Sequence, residues 1–235
     1  LAFLAVAELE MKRDLQTAKR AAAERAIAYV EEGMIVGLGT GSTAAFAIEL
    51  IGQRVAAGLQ IQGVPTSVAT ENLARAKNIP LLLDFEEIDL VIDGADEVDR
   101  EGNLIKGGGG ALTREKIVAA ASRQRIIIVD ETKLVAQLGR VPLPVEVLPF
   151  GWRSAGKQLQ ALGCRVSLRK KDGQTFLTDN QNFIFDCSFA KINAPELLAK
   201  EINAIPGVVE NGLFVGLVSV VVVGKMEGAA REIRF

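Results

Sequence analysis

The sequence predicts an α/β protein: a parallel sheet with helices on both faces, joined to a second, smaller α+β part. Three observations carry this. Through the first half, short apolar runs alternate with amphipathic stretches, the pattern of β-α-β units. A glycine-rich turn, Gly37 to Ser42, links one apolar run to a helix-like stretch. Near Pro142 and Pro144 the texture changes to short strands with hairpin signals.

Taken in order, Leu15 to Glu32 is an alanine-rich amphipathic helix stopped by Gly33. Met34 to Leu38 is a strand, and the helix after it runs from the glycine turn to about Ala56. Leu59 to Val64 reads as a strand, Ser67 to Lys77 as a helix, and Pro80 to Leu83 as a short strand. Ile88 to Ile92 is a strand broken only by Asp89. A helix over about Ala111 to Ser122 then leads into the β-branched run Arg125 to Val129. In such sheets crossovers are right-handed and ligands bind outside the carboxyl ends of the strands. The glycine turn and the acids after Ile92 both fall on that edge.

The second part reads as strand Val145 to Leu148, helix Trp152 to Leu162, then Arg165 to Leu168 and Thr175 to Leu177 around an Asp172–Gly173 hairpin signal. Asn182 to Asp186 and helix Ala194 to Ala204 follow. Two helices on a small antiparallel sheet make a ferredoxin-like α+β arrangement. The last apolar runs, Val218 to Val223 and Glu232 to Phe235, either rejoin the first sheet or close this second part.

The totals narrow the chemistry. At 235 residues and 49% hydrophobic, the chain can bury a sizeable core. A net charge of -2 and a pI near 5.5 argue against a nucleic-acid footprint. The densest basic run, Arg169 to Lys171, reads as a solvated hairpin end. No apolar run reaches a membrane span, and Leu1 to Ala7 reads as a loosely docked terminus. Cys164 and Cys187 form no CxxC pair and read as core thiols of a reducing compartment. There is no histidine. Ser-His and Cys-His nucleophiles, histidine bases and most zinc sites are therefore excluded. Acid–base work falls to Asp, Glu, Lys, Cys or the single tyrosine, Tyr29.

Three stretches carry chemistry. Gly37 to Ala44, GLGTGSTA, lies between strand and helix, where converging N–H groups favour an anion. It reads as a phosphate turn or as a helix cap. The looser dinucleotide fingerprint fits from Gly39, but the next strand ends Gly63-Val64-Pro65 without an acid for a ribose. Asp93, Asp96, Glu97 and Asp99 can bind a hard cation, hold sugar hydroxyls, move protons, or form a solvated acidic loop. Lys106 precedes four glycines, Gly107 to Gly110, which favours close backbone approach to a ligand. Lys106 is an oxyanion stabiliser or a solvated lysine. Glu115 is a base if burial raises its pKa, and an ordinary helix-start glutamate on spacing alone.

Together GLGTGSTA (Gly37 to Ala44), DGADEVD (Asp93 to Asp99) and KGGGGALTREK (Lys106 to Lys116) closely resemble the A-type ribose-5-phosphate isomerases. So do VPLPVEVLP (Val141 to Pro149), LTDNQN (Leu177 to Asn182) and INAIPGVVENGLF (Ile202 to Phe214). The resemblance begins around Lys19 and covers nearly all of the chain from there. It implies a Rossmann-like domain, expected at 1–138 and 214–235, with a small α+β domain at 139–213. It implies an aldose–ketose isomerase acting on a small-molecule sugar phosphate, without cofactor or metal. Glu115 would shuttle a proton between C1 and C2, Lys106 would stabilise the enediolate, and Asp93 and Asp96 would handle hydroxyl protons and ring opening. Gly94 and Ala95 between them would line the substrate, and Gly107, Gly108 and Gly109 would offer backbone donors. Thr40, Gly41, Ser42 and Thr43, with Lys19 and Lys133, would hold the substrate and its phosphate. A homodimer or homotetramer is expected, in the cytoplasm or alternatively the plastid stroma, with no nucleic-acid or membrane partner. Gly110 stands where the family often has alanine, and the match near Leu217 to Val223 is loose. Two other classes compete. A silent sugar-phosphate sensor is disfavoured because no DNA-binding helix pair precedes the domain. A nucleotide-dependent oxidoreductase is disfavoured by the missing ribose acid.

Overall fold

The alanine-rich start folds as one helix, α1 (Ala2–Ala26), closed by a 3-10 turn at Ile27–Tyr29. It begins well before Leu15, because Ala, Leu, Glu, Met and Lys favour helix and neither Gly nor Pro interrupts them. The computed structural model describes residues 2–235, with side chains described from Glu10 onward. In chain order, β1 (Ile35–Leu38), α2 (Ser42–Ala56), β2 (Gln62–Pro65), α3 (Val68–Ala76) and β3 (Ile88–Asp93) follow. Then come β4 (Glu97–Val98), β5 (Leu104–Ile105), α4 (Leu112–Ala121), β6 (Ser122–Asp130) and β7 (Leu143–Val147). Next are α5 (Trp152–Ala161), β8 (Arg165–Leu168), β9 (Lys170–Lys171), β10 (Gln174–Thr175) and β11 (Phe183–Ser188). The chain ends with α6 (Pro195–Asn203), β12 (Val208–Asn211), β13 (Leu213–Phe214), β14 (Val220–Gly224) and β15 (Ala230–Arg234).

These elements form two units. The first holds the chain up to Gly94, with Val118–Lys133 and Val218–Phe235; the second holds Ala95–Ile117 and Leu134–Leu217. Residues 95–117, read from sequence as part of the parallel-sheet domain, thus group with the second unit.

The first unit is a six-stranded sheet in the order β15-β14-β6-β3-β1-β2. Every pair is parallel except β14 with β15. The last two strands therefore rejoin the first sheet. The expected strand Pro80 to Leu83 is reduced to one bridge, Gly63 to Leu81. Strand β14 is apolar on both faces, as a covered parallel sheet requires, and in β3 only Asp89 and Asp93 interrupt the apolar run. On one face Leu90, Ile92, Ile126, Ile128 and Val222 meet Ala22, Ala26, Ala47, Ile48 and Ile51 from the helices. Small side chains let α1 approach closely: a Cβ built on Gly224 would lie 1.8 Å from the Ala18 carbonyl oxygen. On the other face Val118 and Val91 both lie close to Gly37.

The second unit contains a four-stranded antiparallel sheet in the order β12-β7-β11-β8. Taken as first to fourth strand, that order is 4-1-3-2, the split β-α-β pattern expected of a ferredoxin-like fold. Its core gathers Leu143, Val145, Val147, Leu159, Phe185 and Ile202, with Cys164 and Cys187 as buried free thiols. The Asp172–Gly173 hairpin forms between β9 and β10, both turn residues having positive φ, 51° and 79°. A third, three-stranded sheet, β13-β5-β4, is made of two-residue strands too short to show periodicity. No helix among the described residues is long and apolar enough to cross a membrane.

Candidate active site

In the first unit the site residues gather on one sheet edge. The chain passes from β1 to β2 on one side and then to β3 on the other, so the order switches between β1 and β3. Such a switch point, at the carboxyl ends of the strands, is where open α/β sheets take ligands. Gly39 follows β1 and Asp93 ends β3, and they touch. A Cβ on Gly39 would stand 2.2 Å from Asp93 Oδ1, so only glycine fits. The Asp93 side chain is 3% exposed, and its Oδ1 accepts the N–H groups of Thr40 at 3.1 Å and Gly94 at 2.7 Å.

The turn then enters α2 through Gly41, whose φ of 112° lies in the left-handed range. The N–H groups of Ser42, Thr43 and Ala44 open the helix, where backbone donors have no partner within it and favour an anion. Lys19 Nζ donates to Ser42 Oγ at 3.0 Å, bringing a cation to the same helix start. Lys133 stands half-buried in the 3-10 turn after β6, on the same sheet edge. The Thr40 hydroxyl is engaged within the fold. It bonds Thr66 Oγ1 at 2.7 Å, Ser67 Oγ at 2.8 Å and Thr70 Oγ1 at 3.1 Å. Thr66 and Thr70 in turn donate to the Leu38 and Gly39 carbonyls. This hydroxyl cluster braces the turn.

In the second unit Lys106 and Glu115 face each other. Lys106 Nζ lies 3.4 Å from Glu115 Oε2, with side chains only 3% and 5% exposed. Lys106 is neither solvated nor at the surface, and Glu115 is not an ordinary helix-start glutamate. The Lys106 ammonium also lies 5.4 Å from the centre of the Phe214 ring. The Lys106 backbone is set by its N–H bond to Gly212 O at 2.9 Å. Gly107 adopts φ 105° and Gly110 φ 84°, turning the loop, and Gly108 N–H donates to Asp96 Oδ2 at 2.8 Å. Gly108 and Gly109 are exposed, while Asp96, Gly94 and Ala95 are half-buried.

The neighbours of Glu115 on α4 are each tied elsewhere. Thr113 Oγ1 donates to Glu146 Oε2 at 2.5 Å. Arg114 donates to Asn180 Oδ1 at 2.9 Å and Asp179 O at 3.2 Å. Lys116 Nζ donates to Glu210 Oε1 at 2.8 Å and Asn211 O at 2.6 Å, and burial pulls its pKa down despite Glu210. Glu146 is a hub that sequence reasoning missed. It is fully buried and accepts from Thr113, Thr178, Asn180 and Asn182. The LTDNQN loop and the residues before β13 are thus the anchors of the helix that carries Glu115.

The four acids do not converge as a cation site. Glu97 is fully buried and accepts the N–H groups of Gly139 at 2.8 Å and Val141 at 2.7 Å. Asp99 closes its own loop through Glu101 N and Asn103 N. Among the described residues, no three His, Cys, Asp or Glu side chains are grouped to hold a metal ion. Arg169 also departs from its reading: Lys170 and Lys171 are exposed, but the Arg169 side chain is 14% exposed and bound to Asp186 and the glycine loop.

A switch-point anion turn, with a buried carboxylate–ammonium pair elsewhere in the chain, defines a histidine-free α/β enzyme equipped to move protons on a phosphorylated ligand. The profile of ribose 5-phosphate isomerase A (phosphoriboisomerase A) matches residues 62–228, and the chain belongs to that family. It is 55% identical over 219 residues to ribose-5-phosphate isomerase A of Gloeobacter violaceus, covering 92% of this chain and 95% of the relative. The Bacillus mycoides relative is 50% identical over 213 residues, covering 89% and 96%. Among solved structures, ribose 5-phosphate isomerase from Plasmodium falciparum superposes with a TM-score of 0.91 at 39% identity, covering 94% of this chain and 99% of that one. A D-ribose-5-phosphate isomerase in complex with phospho-erythronic acid superposes equally, TM-score 0.91 at 40% identity over 94% and 99%.

Proposed function

We propose that this chain interconverts D-ribose 5-phosphate and D-ribulose 5-phosphate, in the non-oxidative pentose phosphate pathway, through an enediolate. Glu115 takes the proton from C2 of the open-chain aldose and returns it to C1, one carboxylate serving both adjacent carbons. The proton on O2 leaves as O1 gains one, so the step is redox-neutral overall. Lys106 stabilises the oxyanion that develops meanwhile, in a water-poor setting where such stabilisation is strong. Asp93 and Asp96 open the ring and relay hydroxyl protons, and the N–H groups of Gly107 to Gly109 hold the sugar. The α2 start, with Lys19 and Lys133, takes the phosphate and orients the reacting carbons. The working form is a homodimer or homotetramer in the cytoplasm.

One observation carries this reading: the buried Lys106–Glu115 pair at 3.4 Å. Removing two charges from water is costly, and a buried ion pair is weak evidence for stability. Buried acid–base pairs of this kind are found where proton transfer is done. A relative's complex with phospho-erythronic acid supports it too, since such a ligand combines a phosphate with a planar oxyanion. The test is a coupled assay for ribulose 5-phosphate formation beside Glu115→Gln. The variant is expected to lose about two to four decades of kcat with little change in KM. Near wild-type turnover would remove Glu115 from the role.

A further inference from the structure

We infer that Arg169 is a positioning residue for the reaction, setting the glycine-loop peptide that orients Asp96. The inference rests on the assignment of Asp96 as a working carboxylate.

The Gly107 carbonyl and the Gly108 N–H are two ends of one planar peptide. At one end, Arg169 donates to Gly107 O at 2.8 Å, and the same nitrogen reaches Gly108 O at 3.2 Å. At the other end, Gly108 N–H donates to Asp96 Oδ2 at 2.8 Å. A cation on the carbonyl and a carboxylate on the N–H polarise the peptide in the same sense, so each bond strengthens the other. Asp96 is also pressed against this peptide: a Cβ on Gly108 would meet Asp96 Oδ1 at 2.9 Å.

The guanidinium is itself fixed. Its Nε donates to Asp186 Oδ2 at 3.0 Å and its second terminal nitrogen to Asp186 Oδ1, leaving the side chain 14% exposed. The Arg169 backbone is held by its N–H bond to Ile184 O at 2.8 Å and by Phe176 N–H on its carbonyl at 3.0 Å. A run of glycines has no side chains of its own to hold a shape. The rigidity of this loop therefore comes from outside it, and Arg169 supplies it. Only a planar fork can bind a carboxylate through two nitrogens and still reach two carbonyls; a lysine cannot.

The competing view is a cross-strand ion pair serving stability alone. A double-mutant cycle separates the two. Arg169→Met is expected to lower kcat roughly 10- to 100-fold, the cost of about 1 Å of misplacement, with KM nearly unchanged. Arg169→Lys is expected to recover little of it. Asp186→Asn, which keeps arginine and shape, is the second variant should Arg169→Met fold poorly; it is expected to lower kcat by about threefold or more. In an Asp96→Asn background, Arg169→Met is expected to cost less than about threefold further, because its route is already cut. The inference is overturned if Arg169→Met and Asp186→Asn both keep wild-type kcat while Asp96→Asn does not. It is equally overturned if the Arg169→Met loss is undiminished in the Asp96→Asn background. An undamaged Asp96→Asn enzyme would overturn the role of Asp96 first, and the inference with it.

Discussion

Replacing Gly39 by alanine adds one methyl group where the structure leaves no room. That Cβ would lie 2.2 Å from Asp93 Oδ1 and 2.5 Å from Asp93 Cα, whereas ordinary contact begins at 3.4 Å. The nearest obstacles include backbone at the end of β3, so no side-chain rotation relieves the clash. The two strand ends must separate by roughly 1 Å, a displacement that costs about 100-fold in rate when it misaligns reacting groups. It also stretches the bond from Thr40 N–H to Asp93, now 3.1 Å. Overpacking of this kind costs about 1–3 kcal/mol of stability. Gly39→Ala is therefore expected to lower kcat/KM in the coupled assay by about two decades, and to lower the urea midpoint without changing the m-value. An enzyme with kcat/KM within about threefold of wild type and an unshifted midpoint would refute the reasoning, since the switch-point contact would then not govern Asp93.

Two further expectations follow from other parts of the chain. Thr43→Val removes a hydroxyl from the first turn of α2 and should raise the apparent KM for the phosphorylated sugar by about tenfold, the worth of one hydrogen bond to a charged group; an unchanged KM would return the turn to a capping role. Lys116 has its pKa lowered from 10.5, chiefly by burial. Between the lowered value and 10.5 the unfolded chain holds more protons than the folded one, so the residue's contribution to stability rises with pH across that window. The urea midpoint of the wild type should therefore gain on that of Lys116→Met as pH rises from neutrality towards 10.5; a flat or narrowing gap would contradict the assignment.

Much of this was legible from local pattern. The alternation of strand and helix, the helix after the glycine turn and the ferredoxin-like second unit are all written in windows of a few residues. What escaped was pairing at long range. Thr113 finds Glu146 across 33 residues, Arg114 finds Asn180 across 66, and Lys116 finds Glu210 across 94. No periodicity encodes such contacts, so the buried setting of Glu115 could not be read from its spacing. Arg169 was misread for the same reason: its partners on β11 and in the glycine loop lie 17 and 62 residues away. The strands β4, β5 and β13 escaped because two residues cannot display alternation.

The brace beneath the anion turn is made of Thr40, Thr66, Ser67 and Thr70, all hydroxyls. None of them titrates in water's working range. The brace thus keeps one shape from mild acid to mild alkali, and within the four hydroxyls there is no charge for added salt to screen. Under the role proposed for this turn, capture of the sugar phosphate should follow the ligand's own second phosphate ionisation, near pH 6 for such esters, while the braced turn contributes a fixed geometry.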